Sequence, residues 1–435
     1  MTVYTLFIFL AVAGAVLLMT LGIGHSKLKK HEVMHPVPWY LQYFIGTLLI
    51  FSGLVKAVDP LGTAYKMKDY FAEFAEQGLP FMDFMKEQSL NFSLVMLVLE
   101  LTLGACMLLG IGAKRTTGLN LLIMLFFTFL TGFNYLTGFT ARDPAVGILQ
   151  FSQWGEFDPT NIRITDCGCF GDFMKLKPIE TFIKDVIFTG MSIYLFAATY
   201  KMKELIKPET KIAGKLKVRT LLAWVFMGLS FFFCLRNYYL DIPMVDFRPF
   251  AEGTNIPVAK EKCLADAPVK ELTFIYKNKA SGENQKFDMN NLPTGDGWEY
   301  VDREEKVITE GCNSQIQYFS VPEVEENEGY NFLVVAGDLD HASKSAFKQI
   351  GDLAKAAESS GIQTHALYYN VKGNIDDFRQ EVNGAYPFHA ADDKLTKTII
   401  RANPGLVLVK NGVVIKKWHH RHIPTFEEVR TSYMQ

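Results

Sequence analysis

A series of long apolar runs constrains this chain more than any motif does. Val3–Ile23, Trp39–Val58, Asn91–Ala113, Thr116–Phe139, Pro178–Tyr200 and Thr220–Tyr239 are each about as long as a helix that crosses a bilayer, which needs roughly 20 residues. Lipid offers backbone amides no water, so such runs fold as helices that satisfy their own hydrogen bonds. The first run has no basic stretch ahead of it and no small-x-small cleavage site, so it reads as a span and not as a signal peptide. The expected fold class is a polytopic α-helical membrane bundle of six spans followed by an α/β domain. From Asp241 onward the composition is that of an ordinary charged, water-soluble chain.

The side of the membrane follows from where lysine and arginine collect, because short cytoplasmic loops carry the excess. Lys27, Lys29 and Lys30, then Lys114 and Arg115, then the run from Lys201 to Arg219 mark three connections as cytoplasmic. The connection with Asp59, Asp69, Glu73, Glu76, Asp83 and Glu87, and the long one from Thr140 to Lys177, fall on the other side. The N-terminus and the soluble half share that compartment, which is disulfide-permissive. The expected location is a bacterial inner membrane, with the N-terminus and the C-terminal domain periplasmic. With 44 Lys+Arg against 46 Asp+Glu, the charge balance gives no reason to expect nucleic acid; the bilayer is the first partner.

Charged and polar groups at membrane depth are costly, which makes them candidates for function. Glu100 sits well inside the third run, where it is a candidate quinone or proton site or else a hydrogen-bonding partner of a neighbouring helix. Asn134 lies towards the outer end of the fourth run, and Lys56 and Asp59 stand near the outer end of the second, placed to snorkel or to pair. Thr63–Phe74 has amphipathic helical spacing with aromatics on one face, the pattern of a helix lying along the outer membrane surface.

The most distinctive stretch is Thr165–Asp172, in which Cys167 and Cys169 flank Gly168. A small Cys-Gly-Cys ring is strained, and strain makes a disulfide easier to reduce and exchange. Thiol–disulfide chemistry, a static crosslink and a metal half-site all remain open for it, although one CxC without a second Cys/His pair is a poor zinc site. Pro178 and Glu180 suit a helix start, whose partial positive charge would favour a thiolate just ahead of it. Phe170 and Phe173 can dip into the interface, and Cys106 and Cys234, inside spans, read as packing residues.

Taken together, Gly53-Leu54-Val55-Lys56-Ala57-Val58-Asp59-Pro60, Tyr65, Glu100-Leu101-Thr102-Leu103-Gly104 and Cys167-Gly168-Cys169-Phe170-Gly171 resemble the DoxX/MauE-like membrane family over roughly residues 40–200. The resemblance implies a four-helix membrane core and a role in redox processes of the cell envelope; the MauE branch is associated with disulfide formation in a methylamine-oxidising enzyme. The architecture is also similar to vitamin-K-epoxide-reductase-type proteins, which join a helical bundle to a thioredoxin domain, but their Cys-x-x-Cys is absent here.

In the soluble half, Asp241–Pro257 reads as an extended linker, and Glu271–Tyr276 and Gln315–Ser320 read as short strands. Cys263 and Cys312 are its only thiols, either joined in one structural disulfide or serving as an exchange partner for Cys167 and Cys169. Beyond Tyr330, strands at Phe332–Ala336 and Thr364–Tyr369, helices at Ala342–Ser360 and Asn374–Val382, and a hairpin around Lys410-Asn411-Gly412 follow in thioredoxin order. Residues 330–435 therefore resemble a thioredoxin-like domain, in which Pro404 stands where that fold carries its cis-proline. Where such a fold carries thiols, after its first strand, this chain has Gly337-Asp338-Leu339-Asp340-His341 and no cysteine. A docking role for the domain is the consequence. His419, His420 and His422 beside Trp418 have no carboxylate or cysteine fixed by spacing, and no metal is assigned to them.

The expected organisation is an N-terminal transmembrane helix and cytoplasmic loop over 1–38, a DoxX/MauE-like membrane domain over 39–240, a periplasmic linker and small β-rich region over 241–329, and the thioredoxin-like domain over 330–435. The expected function is a cell-envelope membrane protein in thiol–disulfide or quinone-linked redox processes through Cys167 and Cys169, with an envelope client docking on the non-redox domain. No cofactor is certain, quinone being the candidate. The alternative is a non-enzymatic subunit or assembly factor of a larger envelope complex, with the Cys-Gly-Cys as a clamp.

Overall fold

The computed structural model describes residues 37–141, 147–164, 171–174, 176–202, 216–309 and 314–434, with 14, 168, 311 and 312. The chain divides into two compact units, one formed by 1–137, 144–150 and 163–247 and the other by 138–143, 151–162 and 248–435.

The first unit is helical: α1 (Val37–Val58), α2 (Pro60–Glu76), the short α3 (Met82–Glu87), α4 (Ser89–Leu108), α5 (Ala113–Leu136), α6 (Pro178–Met202) and α7 (Leu216–Leu235). Among the described residues, five helical stretches are long and apolar enough to cross a membrane: Val37–Val58, Ser89–Leu108, Ala113–Phe139, Pro178–Thr199 and Lys217–Leu240. The expected sixth, Val3–Ile23, lies outside the described residues.

Helices α1 and α4 cross where side chains are smallest. A Cβ added to Gly104 would come within 2.8 Å of the Gly46 carbonyl and 2.7 Å of Ile50, so only glycine permits this approach. Polar side chains then satisfy helix ends that lipid could not. Gln42 donates to the Met107 carbonyl at 2.7 Å, Arg219 to those of Leu109 and Gly110 at 3.0 and 2.9 Å, and Asn237 to that of Ala57 at 3.0 Å.

Helix α2 starts at Pro60, behind Asp59, whose carboxylate accepts the Gly62 amide at 3.0 Å. Its aromatic face does not lie bare along a membrane surface. Met67, Tyr70, Phe71 and Phe74 are buried with Leu130, Phe133 and Ile164, and the Phe74 ring meets Phe133 edge-on at 4.8 Å. The amphipathic pattern expected of a surface helix is satisfied by protein, because aromatic faces gain as much from packing on α5 as from the interface.

The second unit contains α8 (Ile256–Ala265), β1 (Val269–Asn278), β2 (Asn284–Asp288), β3 (Trp298–Thr309), α9 (Pro322–Glu325), β4 (Tyr330–Asp338), α10 (Lys344–Glu358), β5 (Gln363–Asn370), α11 (Ile375–Glu381), β6 (Phe388–Ala390), α12 (Asp393–Ile399), β7 (Gly405–Lys410), β8 (Val413–His419) and α13 (Phe426–Tyr433). Strands β2, β1 and β3 form an antiparallel sheet in that order. The other sheet runs β6-β5-β4-β7-β8: β5 is parallel to β4 and β6, and β7 is antiparallel to β4 and β8.

Central strand β4 is buried on both faces, which explains its unbroken apolar run Phe332-Leu333-Val334-Val335-Ala336. One face is covered by α10, whose Phe347, Ile350, Leu353, Ala354 and Ala357 recur at helical spacing, and by Phe426 and Val429 of α13. Each large apolar side chain so buried contributes about 1.5–3 kcal/mol. Helix α12 packs against β4 and β5.

Two local expectations change. Gln315–Ser320 is not a strand: Gln315–Tyr318 is a single 3₁₀ turn opened by Ser314, whose hydroxyl accepts the Ile316 amide at 3.4 Å. Its alternation is met by burying Ile316 and Phe319, three apart, on one side. Pro257, expected to end a linker, instead stands in the first turn of α8 behind Asn255.

Candidate functional site

Cys167 and Cys169 lie outside the described residues. Gly168 between them has φ +63°, a left-handed backbone that side chains rarely adopt, and its carbonyl accepts the Gly171 amide at 3.0 Å. The turn lies against α2: a Cβ at position 168 would meet Lys66 Cγ at 3.1 Å. Just beyond, Phe173 packs edge-on against Phe51 of α1 and Phe247, with centroids 6.1 and 5.2 Å away, and Leu176 is buried in the α1 core. Phe173 and Leu176 are thus held against α1, and Phe173 against Phe247 as well.

Inside the helical unit Glu100 does not stand alone. Its carboxylate pairs with the Lys56 ammonium of α1, both side chains being almost wholly buried. Lys56 Nζ also stands 4.8 Å from the centroid of the Phe127 ring on α5. A cation, a carboxylate and an aromatic face from three helices therefore meet in one apolar place.

A second polar set was legible only as two adjacent charges in an apolar run. Lys184 and Asp185 of α6 are both buried and 3.0 Å apart, and Asp185 accepts the Thr131 hydroxyl of α5 at 3.1 Å. Arg163 pairs with Glu73 of α2, and its guanidinium is also within 3.2 Å of the Gln77 side-chain oxygen in the amide orientation that satisfies both. Local sequence gave no sign of this pair, whose members are 90 residues apart. Asn134 is buried with neither amide atom hydrogen-bonded among the described residues.

In the second unit Cys263 and Cys312 form a disulfide with Cα atoms 5.2 Å apart. The Asn403–Pro404 peptide is cis. Asn403 fastens this turn to the end of β4: its side chain donates to the Asp338 carbonyl at 2.7 Å and accepts the Gly337 amide at 3.2 Å, while its carbonyl accepts the Ser343 amide at 3.1 Å. The segment Gly337–Ser343 is held closed as well by Asp338, whose carboxylate accepts the Asp340 amide at 3.0 Å and pairs with His341 Nδ1 at 2.8 Å. Burial pushes the Asp338 carboxyl up, but those hydrogen bonds and the charges of His341 and Lys372 outweigh it and hold it below the ordinary carboxylate value.

His419 is buried at the end of β8, and its Nδ1 accepts the Arg421 amide at 3.3 Å. The His420 ring lies 3.9 Å from that of His419, and burial first, then Arg421 and His422, holds His420 below the usual imidazole range. His419 thus fastens the turn after the strand and packs on His420, while His422 is exposed.

A family described as Domain of unknown function (DUF8463) has a profile that matches residues 270–310, the β1–β3 sheet. No curated protein and no solved structure matches the chain.

Proposed function

We propose that this chain is a cell-envelope membrane protein in which Cys167 and Cys169, on the periplasmic side, take part in thiol–disulfide or quinone-linked redox processes. The observation that carries this reading is the left-handed turn at Gly168, closed by the Gly171 amide and seated on the Lys66 stem. A left-handed glycine between the two cysteines suits the closure of so short a Cys-Gly-Cys loop into a disulfide, and the thiolate is the form that attacks one. The dithiol gives up two electrons and two protons when it closes to a disulfide; a client disulfide or a quinone takes them. The quinone branch draws on Lys56, Glu100 and Phe127, which offer an ammonium donor and an aromatic face within the apolar bundle.

The strand order β5-β4-β7-β8, with cis Pro404 beside the end of β4, supports the thioredoxin-like reading of the soluble domain. Without thiols at Gly337–Ser343 it has a docking role for an envelope client. The same missing thiols, together with the mutual neutralisation of Lys56 and Glu100, favour the second reading: a non-enzymatic subunit or assembly factor with Cys167–Cys169 as a clamp.

Thiol trapping with mass spectrometry on the detergent-purified full chain separates the two. In the redox reading, mild reductant opens Cys167–Cys169 well before Cys263–Cys312, and Cys167→Ser/Cys169→Ser shifts the redox state of at least one envelope client. Equal resistance of both disulfides, with every client unchanged, sinks the redox reading and leaves the clamp.

A further inference from the structure

We infer that Glu323, His365 and His389 form a binding site for a divalent transition-metal ion of the zinc type on the C-terminal domain. Each offers a ligand atom, and the three atoms lie within 4.8 Å of one another. The inference is independent of the thiol chemistry proposed above.

The placement follows from strand register. In the parallel pair β5–β6, Leu367 stands opposite His389, and His365 is two residues before Leu367. Successive strand residues alternate faces, so His365, Leu367 and His389 share one face, while Ala366, Tyr368 and Phe388 turn to the α10 core. Glu323 approaches from α9, between Val321 and Val324, which are both fully buried and fix that short segment. A carboxylate and two imidazoles from three separate elements thus converge, as no sequence spacing announces.

The distances suit a metal better than a hydrogen bond. His365 Nδ1 and His389 Nε2 are 3.5 Å apart, long for a hydrogen bond between nitrogens. Two nitrogens each about 2.0–2.1 Å from a tetrahedral zinc ion are separated by about 3.3–3.4 Å. On the far side of the ring, His365 Nε2 faces Gln363 Oε1 at 3.4 Å. At 3.4 Å this contact is itself long for a hydrogen bond; a proton on Nε2 turned to that oxygen leaves Nδ1 to ligate, the usual outer arrangement of metal-bound histidine.

His365 is buried, His389 half-buried and Glu323 exposed, so the group opens to solvent on the carboxylate side. The Glu323 side chain closes the remaining distance by rotation, and water takes the fourth position. Two imidazoles and one carboxylate match zinc, with Cu²⁺ and Ni²⁺ as competitors for the same donors.

The test uses the full chain in detergent, stripped with chelator, in a Cys167→Ser/Cys169→Ser background so that no thiolate there competes. Zn²⁺ is titrated calorimetrically, and Co²⁺ reports geometry through its visible d–d absorption. The parent takes up one Zn²⁺ equivalent that His389→Ala binds at least tenfold more weakly, and the tetrahedral Co²⁺ absorption disappears in that variant. Glu323→Ala, an exposed change that leaves the apo melting temperature where it was, weakens binding by about tenfold. His420→Ala/His422→Ala leaves that equivalent intact. Unchanged stoichiometry and affinity in both His389→Ala and Glu323→Ala overturns the site. Should His389→Ala not fold, Glu323→Ala decides alone.

Discussion

Removing the Glu100 carboxylate should cost this protein more than any change to a surface charge. The Lys56 and Glu100 side chains retain only 4% and 2% of their exposure, so in Glu100→Ala the ammonium loses its counter-charge where water cannot replace it. Breaking a buried pair from one side costs about 3–5 kcal/mol. At about 1.4 kcal/mol per tenfold, the folded-to-unfolded equilibrium constant falls roughly a hundred- to several-thousand-fold. Removing both charges together has a different outcome. Lys56→Met/Glu100→Met replaces a desolvated pair by apolar packing beside Phe127, and such exchanges are often neutral or stabilising by about 1–4 kcal/mol. Reversible unfolding in mixed micelles, followed by circular dichroism for the parent, both single variants and the double, measures the cycle. If Glu100→Ala costs less than about 1 kcal/mol, the range of exposed pairs, the pair is wet and the reasoning fails.

Three further outcomes follow from particular contacts. Gly104→Val forces a Cβ against Gly46 and Ile50, which should cost about 1–3 kcal/mol in the same micelle assay and lower the melting temperature. Cys263→Ala/Cys312→Ala opens a loop with a sequence separation of 49, and chain entropy alone predicts a loss of about 4 kcal/mol, read from denaturant unfolding of the soluble unit within the full chain. Because Asp338 is held below 3.8 in the folded state, its contribution is present above that value and is lost as pH falls through the lower folded value. Melting temperatures measured from pH 6 to pH 3 should therefore fall more steeply below about pH 4 in the parent than in Asp338→Asn.

Much of this was legible in the sequence because its cause is local. The apolar runs over Trp39–Tyr239 are helices since a backbone in lipid has few other choices, and β4, α10, β5, α11 and the β7–β8 hairpin each carry their own period. Three-residue β6 and the helix Asp393–Ile399 were too short to leave a periodic signal, and the 3₁₀ turn at Gln315–Tyr318 copied a strand's alternation.

What no local pattern can state is which distant side chains meet. The order of residues alone put Glu100 deep inside an apolar run and left Cys263 and Cys312 either as one disulfide or as an exchange partner for Cys167 and Cys169, a choice that the pairing in the fold decides. Only the tertiary structure decided that Lys56 neutralises Glu100, that Arg163 reaches Glu73, and that Glu323, His365 and His389 converge. The aromatic face of α2 found protein instead of lipid for the same reason. An amphipathic stripe specifies that something apolar must cover it, and packing chooses what does.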